Sequence, residues 1–256
     1  MKKVLFLFCL SLNKFSSGQT VLVKEIKQVN PLTKELYVFP DIISPSKTVA
    51  QKINDHLRSE ILDADPATAP RKIFDHVWRT KEQSPTVSNI TYAIIRNNRS
   101  ILSLSITAEG CGAYCETGTT YFTFNLHTGN KLTLDSLFTK QGAAVLVDSL
   151  NVLRSKKIKA KIRELQNILK TKKNKTEREQ YQEMLKLYRD CLDQKLSDEF
   201  FSYLGFAMTE KKIKIYSDRC SAHYNMAIDE LWVFEYTIDL KNWRDHLTNL
   251  GLELIK

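Results

Sequence analysis

Four cysteines carry the most chemistry in this chain: Cys111, Cys115, Cys191 and Cys220, with a fifth, Cys9, inside an apolar N-terminal run. Four cysteines in an exported protein allow three disulfide connectivities. Sequence proximity favours Cys111 with Cys115 across a short loop, which leaves Cys191 with Cys220. Two other readings stand beside this one. Cys191 falls seven residues after Met184 on the apolar side of its helix, where a buried free thiol packs as a small hydrophobe. Cys111, Cys115, Cys220 and His223 also form a Cys₃His set whose spacings zinc tolerates, although the usual knuckle glycines are missing. His223 near Cys220 and Asp229 further admits a Cys-His-Asp nucleophile, with no strained turn around the cysteine to support it.

The remaining histidines, His56, His76, His127 and His246, are scattered. No G-x-S-x-G, H-E-x-x-H or phosphate-cradling glycine loop occurs, so the reading assigns no catalytic residue, no metal and no cofactor. Weight moves to binding. Tyr114, Glu116, Tyr121 and Tyr224 flank the loops around the cysteines, and aromatic loop residues with a carboxylate beside them suit contacts with protein or glycan. An enzyme of undescribed type, using His223 with Asp229 and Glu230, is the alternative.

These residues are positioned by a strand-rich core. Leu102, Leu104 and Ile106 alternate with Ser103, Ser105 and Thr107, the period of a half-buried strand. Phe122, Phe124 and Leu126 repeat it, and Thr128-Gly129 supplies the glycine a short connection needs. Upstream, Val21 to Lys27, Glu35 to Phe39, Ile73 to Thr80 and Ser88 to Arg96 read as strands. Ser44-Pro45 opens a helix as N-cap and first helical residue, with Val49, Ile53, Leu57 and Ile61 as its apolar stripe.

After Phe138 the period changes to three and four residues: Leu146, Leu150 and Leu153, then Ile158, Ile162, Leu165 and Leu169. Thr176 with Glu179 fits a capping box opening a second helix. The pair makes an antiparallel hairpin over about 141–197. Residues 154–178 hold eleven Lys or Arg against Glu164 and Glu177. A local patch says more than a basic average. It marks a solvated face or a docking surface for an acidic or anionic partner, and export argues against nucleic acid. Strands return at Phe201 to Met208, Lys212 to Tyr216 and Trp232 to Ile238, before a closing helix from Asp239.

The first residues carry a different signal. Lys2 and Lys3 precede the apolar Val4 to Leu12 and the small residues Ser16-Ser17-Gly18, the pattern of a signal peptide over 1–18. No later run reaches about 18 continuous apolar residues, so no transmembrane segment is expected in the mature chain. The expected organisation is an α+β fold, an antiparallel sheet with packed helices and an inserted basic helical hairpin. It divides into an N-terminal subdomain over 19–98 and a C-terminal one over 99–256. Its location would be periplasmic or secreted.

The run from Ile101 to Phe138, with its glycine-containing loop, Thr128-Gly129 turn and Leu132-Thr133-Leu134-Asp135-Ser136-Leu137-Phe138, resembles an uncharacterised extracytoplasmic domain. That domain occurs in lysozyme-sensing anti-sigma factors and beside some peptidoglycan deacetylases. Tyr37 to Leu57, with Phe39-Pro40 before a helix bearing Ile53-Asn54, looks like the partner domain that precedes it. The family's loop is commonly Gly-Gly-Ala-His-like, whereas this chain has Cys111-Gly112-Ala113-Tyr114-Cys115. The resemblance implies an α+β fold outside the cytoplasm, binding a lysozyme-like wall hydrolase or a wall glycan. Neither signalling nor deacetylation transfers, because no membrane anchor and no deacetylase domain accompanies it.

Overall fold

The computed structural model describes residues 21–30, 34–66, 68–69, 72–75, 77, 87–111, 115–210 and 212–255. The segment over 1–18 expected to be a signal peptide, and Tyr114, lie outside the described residues. Three antiparallel sheets and a helical hairpin make up an α+β fold. Strands β1 (Leu22–Val29) and β2 (Leu36–Ile43) pair in register from Leu22 opposite Ile43 to Val29 opposite Leu36. Helix α1 (Lys47–Leu62) buries Val49, Ile53, Leu57 and Leu62. Its Asn54 side chain docks on the edge of β2, donating to the Ile42 carbonyl at 2.9 Å and accepting from the Ile42 N–H at 2.8 Å. The helix is capped by Ser46 rather than Ser44. Ser46 Oγ accepts from the Val49 N–H, because β2 stays extended to Ile43 and delays the first turn.

The second sheet is β3 (Asn89–Asn97), β4 (Ile101–Cys111) and β5 (Cys115–Asn125), with β4 central. Leu102, Leu104, Ile106, Phe122 and Phe124 share an apolar cluster with α1 and β2, as the period-two pattern requires. Ile73 and Phe74 join that core from a turn, so the expected strand there is corrected over Lys72–Asp75. The opposite face of this sheet is also covered. Ser103 and Thr123, polar by pattern, are buried and 3.0 Å apart. The Met208 N–H donates to Ser103 Oγ at 3.0 Å, and Thr123 Oγ1 donates to the Phe206 carbonyl at 3.3 Å. Gly129 takes φ +76° at the turn, where its missing side chain leaves room for the Val49 carbonyl.

Short α2 (Leu134–Leu137) leads into α3 (Lys140–Thr171) and α4 (Lys175–Asp193), the expected hairpin. The cap of α4 is Asn174, accepting from the Glu177 N–H at 3.3 Å, not Thr176. The third sheet orders β6 (Gly205–Met208), β7 (Lys212–Ser217) and β8 (Phe234–Asp239). A 3₁₀ helix over Asp198–Tyr203 replaces the start of the first expected strand. The closing segment is a 3₁₀ helix, Leu240–His246, followed by α5 (Asn249–Glu253), instead of one continuous helix. A second apolar cluster joins α3, α4 and this sheet through residues such as Leu146, Tyr188, Ile215 and Phe234.

Candidate functional site

The exposed half of β5 rises beyond the contacts that cover the rest of its sheet. Its residues Glu116 to Tyr121 form one wall of a groove of about 710 Å³. The other wall comes from the end of β7 and from two short segments, Asp218 to Ser221 and Trp232-Val233. Tyr203, Gly205 and Glu235 complete the lining.

Two contacts clasp the walls together. The rings of Tyr121 and Tyr216 stack with centroids 3.6 Å apart and planes within 1°. Burial, with Tyr121 beside it, pushes the Tyr216 hydroxyl above the usual phenol range, so Tyr216 stays a neutral donor at physiological pH. Arg219 Nη2 lies 2.7 Å from Glu116 Oε1, joining the loop after β7 to the rising arm of β5. Beside these fixed contacts stand two loose aromatics. Tyr203 is 82% exposed and Trp232 is 53% exposed. Trp232 adopts φ +47°, a left-handed conformation that is an outlier for a bulky residue. Such strain persists only where the surrounding structure enforces it.

The enforcement comes from behind the wall. Cys191, on α4, is bonded to Cys220 with Cα atoms 5.5 Å apart. Asp229 is 3% exposed and accepts from three donors: Tyr188 Oη at 3.0 Å, Ser221 Oγ at 2.6 Å and the Leu231 N–H at 3.0 Å. Tyr188 Oη in turn accepts from the Glu230 N–H at 2.7 Å. The loop that presents Arg219, Ser221 and Trp232 is thus pinned to the helical hairpin on both sides.

Of the four residues expected to bind, Glu116 and Tyr121 come together in this groove. Tyr114 lies outside the described residues, as do the side chains of Tyr224 and His223, which open a 3₁₀ helix over His223–Ile228. Tyr203, Tyr216, Arg219 and Trp232 were not expected. Their signal was the aromatic and polar run around Ser217-Asp218-Arg219, which reads as an ordinary strand end. The expected Cys191–Cys220 pairing is present. It excludes three alternatives at once: the free thiol at Cys191, Cys220 as a zinc ligand, and Cys220 as a nucleophile. Among the described residues no cluster of His, Cys, Asp and Glu is arranged to hold a metal ion. Cys115 is also disulfide-bonded, and its register partner across the β4–β5 ladder is Cys111. Asp229 and Glu230 are not among the described residues lining the groove. Asp229 is occupied structurally, and Glu230 pairs with Lys161.

No family model matches the chain, and no curated protein matches it. A member of the DUF3298 family from Bacteroides fragilis superposes with a TM-score of 0.56, covering 93% of this chain and 98% of that one at 13% identity. A DUF3298 family protein from Pseudomonas aeruginosa covers 90% and 95% at 12% identity, with a TM-score of 0.45. The first likeness establishes a shared fold, that of a domain of unknown function.

Proposed function

We propose that this chain is an exported, non-enzymatic recognition module that holds a glycan of the cell envelope along the groove between β5 and the loop after β7. The observation that carries the reading is the pairing of exposed aromatic faces, Tyr203 and Trp232, with a fixed polar frame, Glu116 and Arg219. Sugar rings present apolar C–H faces and a rim of hydroxyls, and such a site offers a surface for each. The strained Trp232 backbone supports the same reading, since its indole is held half out of the core. Export is supported by the disulfide between Cys191 and Cys220, which an oxidising compartment preserves. No helix among the described residues is long and apolar enough to cross a membrane.

The test is calorimetry with soluble peptidoglycan glycan strands and chitin oligosaccharides as probes, with the part of the tryptophan fluorescence that Trp232→Ala removes as a second readout. Saturable binding is expected. Trp232→Ala and Tyr203→Ala should each weaken it about tenfold, equivalent to about 1.4 kcal/mol of lost stacking. Both side chains are exposed, so folding should survive. Heat with an animal-type lysozyme and none with either glycan would overturn the glycan reading and put a hydrolase on this surface.

A further inference from the structure

Helix α3 has a second surface, remote in character from the groove. A helix advances 100° per residue, which places Val145, Val152, Lys156, Lys159, Arg163 and Lys170 within an arc of about 60°. The residues that α3 buries, among them Leu146, Leu150, Ile158 and Leu165, fall on the opposite side. All six residues of the outward stripe are exposed, Val152 at 68%. Lys156 to Lys170 spans about 21 Å along the axis. None of the four cations pairs with a carboxylate among the described residues; Lys170 Nζ reaches only Asn167 Oδ1, at 3.3 Å. Neighbouring lysines are paired: Lys161 with Glu164 and Glu230, Lys172 with Glu177. Of the two acids on α3, Glu164 lies about 80° around the helix from Lys156, and Asp148 lies at the valine end, about 20° outside the stripe and eight residues before its first cation.

From this arrangement we infer that the stripe docks the protein on the surface of an anionic phospholipid bilayer. Four aligned, unpaired cations match a plane of phosphates. The valines decide between anionic partners. A soluble polyanion gives an exposed valine nothing to enter, whereas the headgroup region lies above an apolar layer that receives Val145 and Val152. A second copy of this chain is disfavoured because each is strongly basic, with a formal net charge of +9 over the whole sequence and still +6 without Lys2, Lys3 and Lys14 of the signal segment.

The experiment is co-sedimentation of the mature chain, Gln19 to Lys256, with vesicles of phosphatidylcholine containing 30% phosphatidylglycerol, and with pure phosphatidylcholine, at ~0.1 M salt, where charges are screened beyond about 10 Å. Binding to the anionic vesicles alone is expected, weakening about fivefold for each cation removed in the series to Lys156→Gln, Lys159→Gln, Arg163→Gln and Lys170→Gln. Val152→Asp should weaken it further at unchanged circular dichroism. A control of equal charge change off the stripe, Lys24→Gln, Lys186→Gln, Lys195→Gln and Lys241→Gln, should lose far less. Equal loss in the control would reduce the effect to net charge and overturn the assignment. So would unaltered vesicle binding by Val152→Asp together with equal affinity for soluble polyphosphate, or no sedimentation with anionic vesicles at all.

Discussion

Asp229 is the residue on which the two ideas of this molecule diverge most sharply, a carboxylate held for structure or one kept for chemistry. Replacing it with alanine leaves the hydroxyl of Ser221 without its 2.6 Å acceptor and the hydroxyl of Tyr188 without its 3.0 Å acceptor, both in buried surroundings. The Leu231 N–H keeps a second acceptor in Tyr188 Oη at 3.2 Å. Two orphaned donors cost about 1–3 kcal/mol each. Part of that returns because a buried charge is removed with them. The expected loss for Asp229→Ala is therefore about 3 kcal/mol. Asp229→Asn keeps an acceptor at Oδ1 and offers Ser221 an N–H to accept from, so it should lose only about 1 kcal/mol. Urea unfolding under non-reducing conditions measures both, with the slope of the transition unchanged if the native fold is kept. A loss below about 0.5 kcal/mol for the alanine variant would refute the clamp. It would also return Asp229, with His223, to consideration as reactive groups.

Other outcomes follow from the same contacts. Substituting both Cys191 and Cys220 by alanine should destabilise the chain by about 3–4 kcal/mol, the loop-closure value for their sequence separation of 29. The wild type in reductant should lose a similar amount in a thermal melt, and an unchanged Tm would argue against the bond. Glu60 is held at about 2 by its contact with His56 and by Lys131 Nζ at 2.8 Å. A carboxyl depressed in the folded state stabilises above its ordinary value and loses that contribution as pH falls toward 2. Solvent screening of this half-exposed cluster reduces the effect to about 1 kcal/mol. Glu60→Gln should flatten the acid limb of stability between about pH 5 and pH 2. Gly142→Ala puts a Cβ 2.2 Å from the His246 carbonyl and forces the start of α3 off the C-terminal segment, a loss of about 2–3 kcal/mol. Gly118→Ala, with nothing within 4 Å, should be neutral or stabilising by about 0.5 kcal/mol in the same melts.

What the sequence disclosed, and what it withheld, follows from the range of the forces involved. The alternation of Leu102, Leu104 and Ile106 with Phe122 and Phe124 is a local pattern, and it located one wall of the groove together with Glu116 and Tyr121. The three- and four-residue steps of α3 and α4 were equally local. Helix starts slipped by two residues where two residues able to cap stood close together, Ser44 and Ser46, or Asn174 and Thr176. There the choice belongs to the chain before the helix: an extended β2 in one case, a short loop in the other. Ser103 and Thr123 looked solvent-facing because the strand that covers them lies about a hundred residues downstream, bonded through Met208 and Phe206.

The second wall was hidden for the same reason, and this bears on function. Tyr216 sits in Lys212 to Ser217, whose alternation reads as half core, and only its stack on Tyr121 turns it toward the groove. Trp232 read as the first residue of a strand, yet its left-handed backbone ends the loop instead. No local preference favours a tryptophan there; Gly or Asn would satisfy that φ at lower cost. The disulfide and the Asp229 network supply the constraint from outside the segment, which makes the conformation a property of the assembled wall. A groove built from one locally determined wall and one imposed wall has its adaptable residues on the imposed side. Under the proposed glycan reading, changes in ligand preference should therefore track the exposed aromatics Trp232 and Tyr203, while changes at the buried β5 residues Phe122 and Phe124 act first on folding.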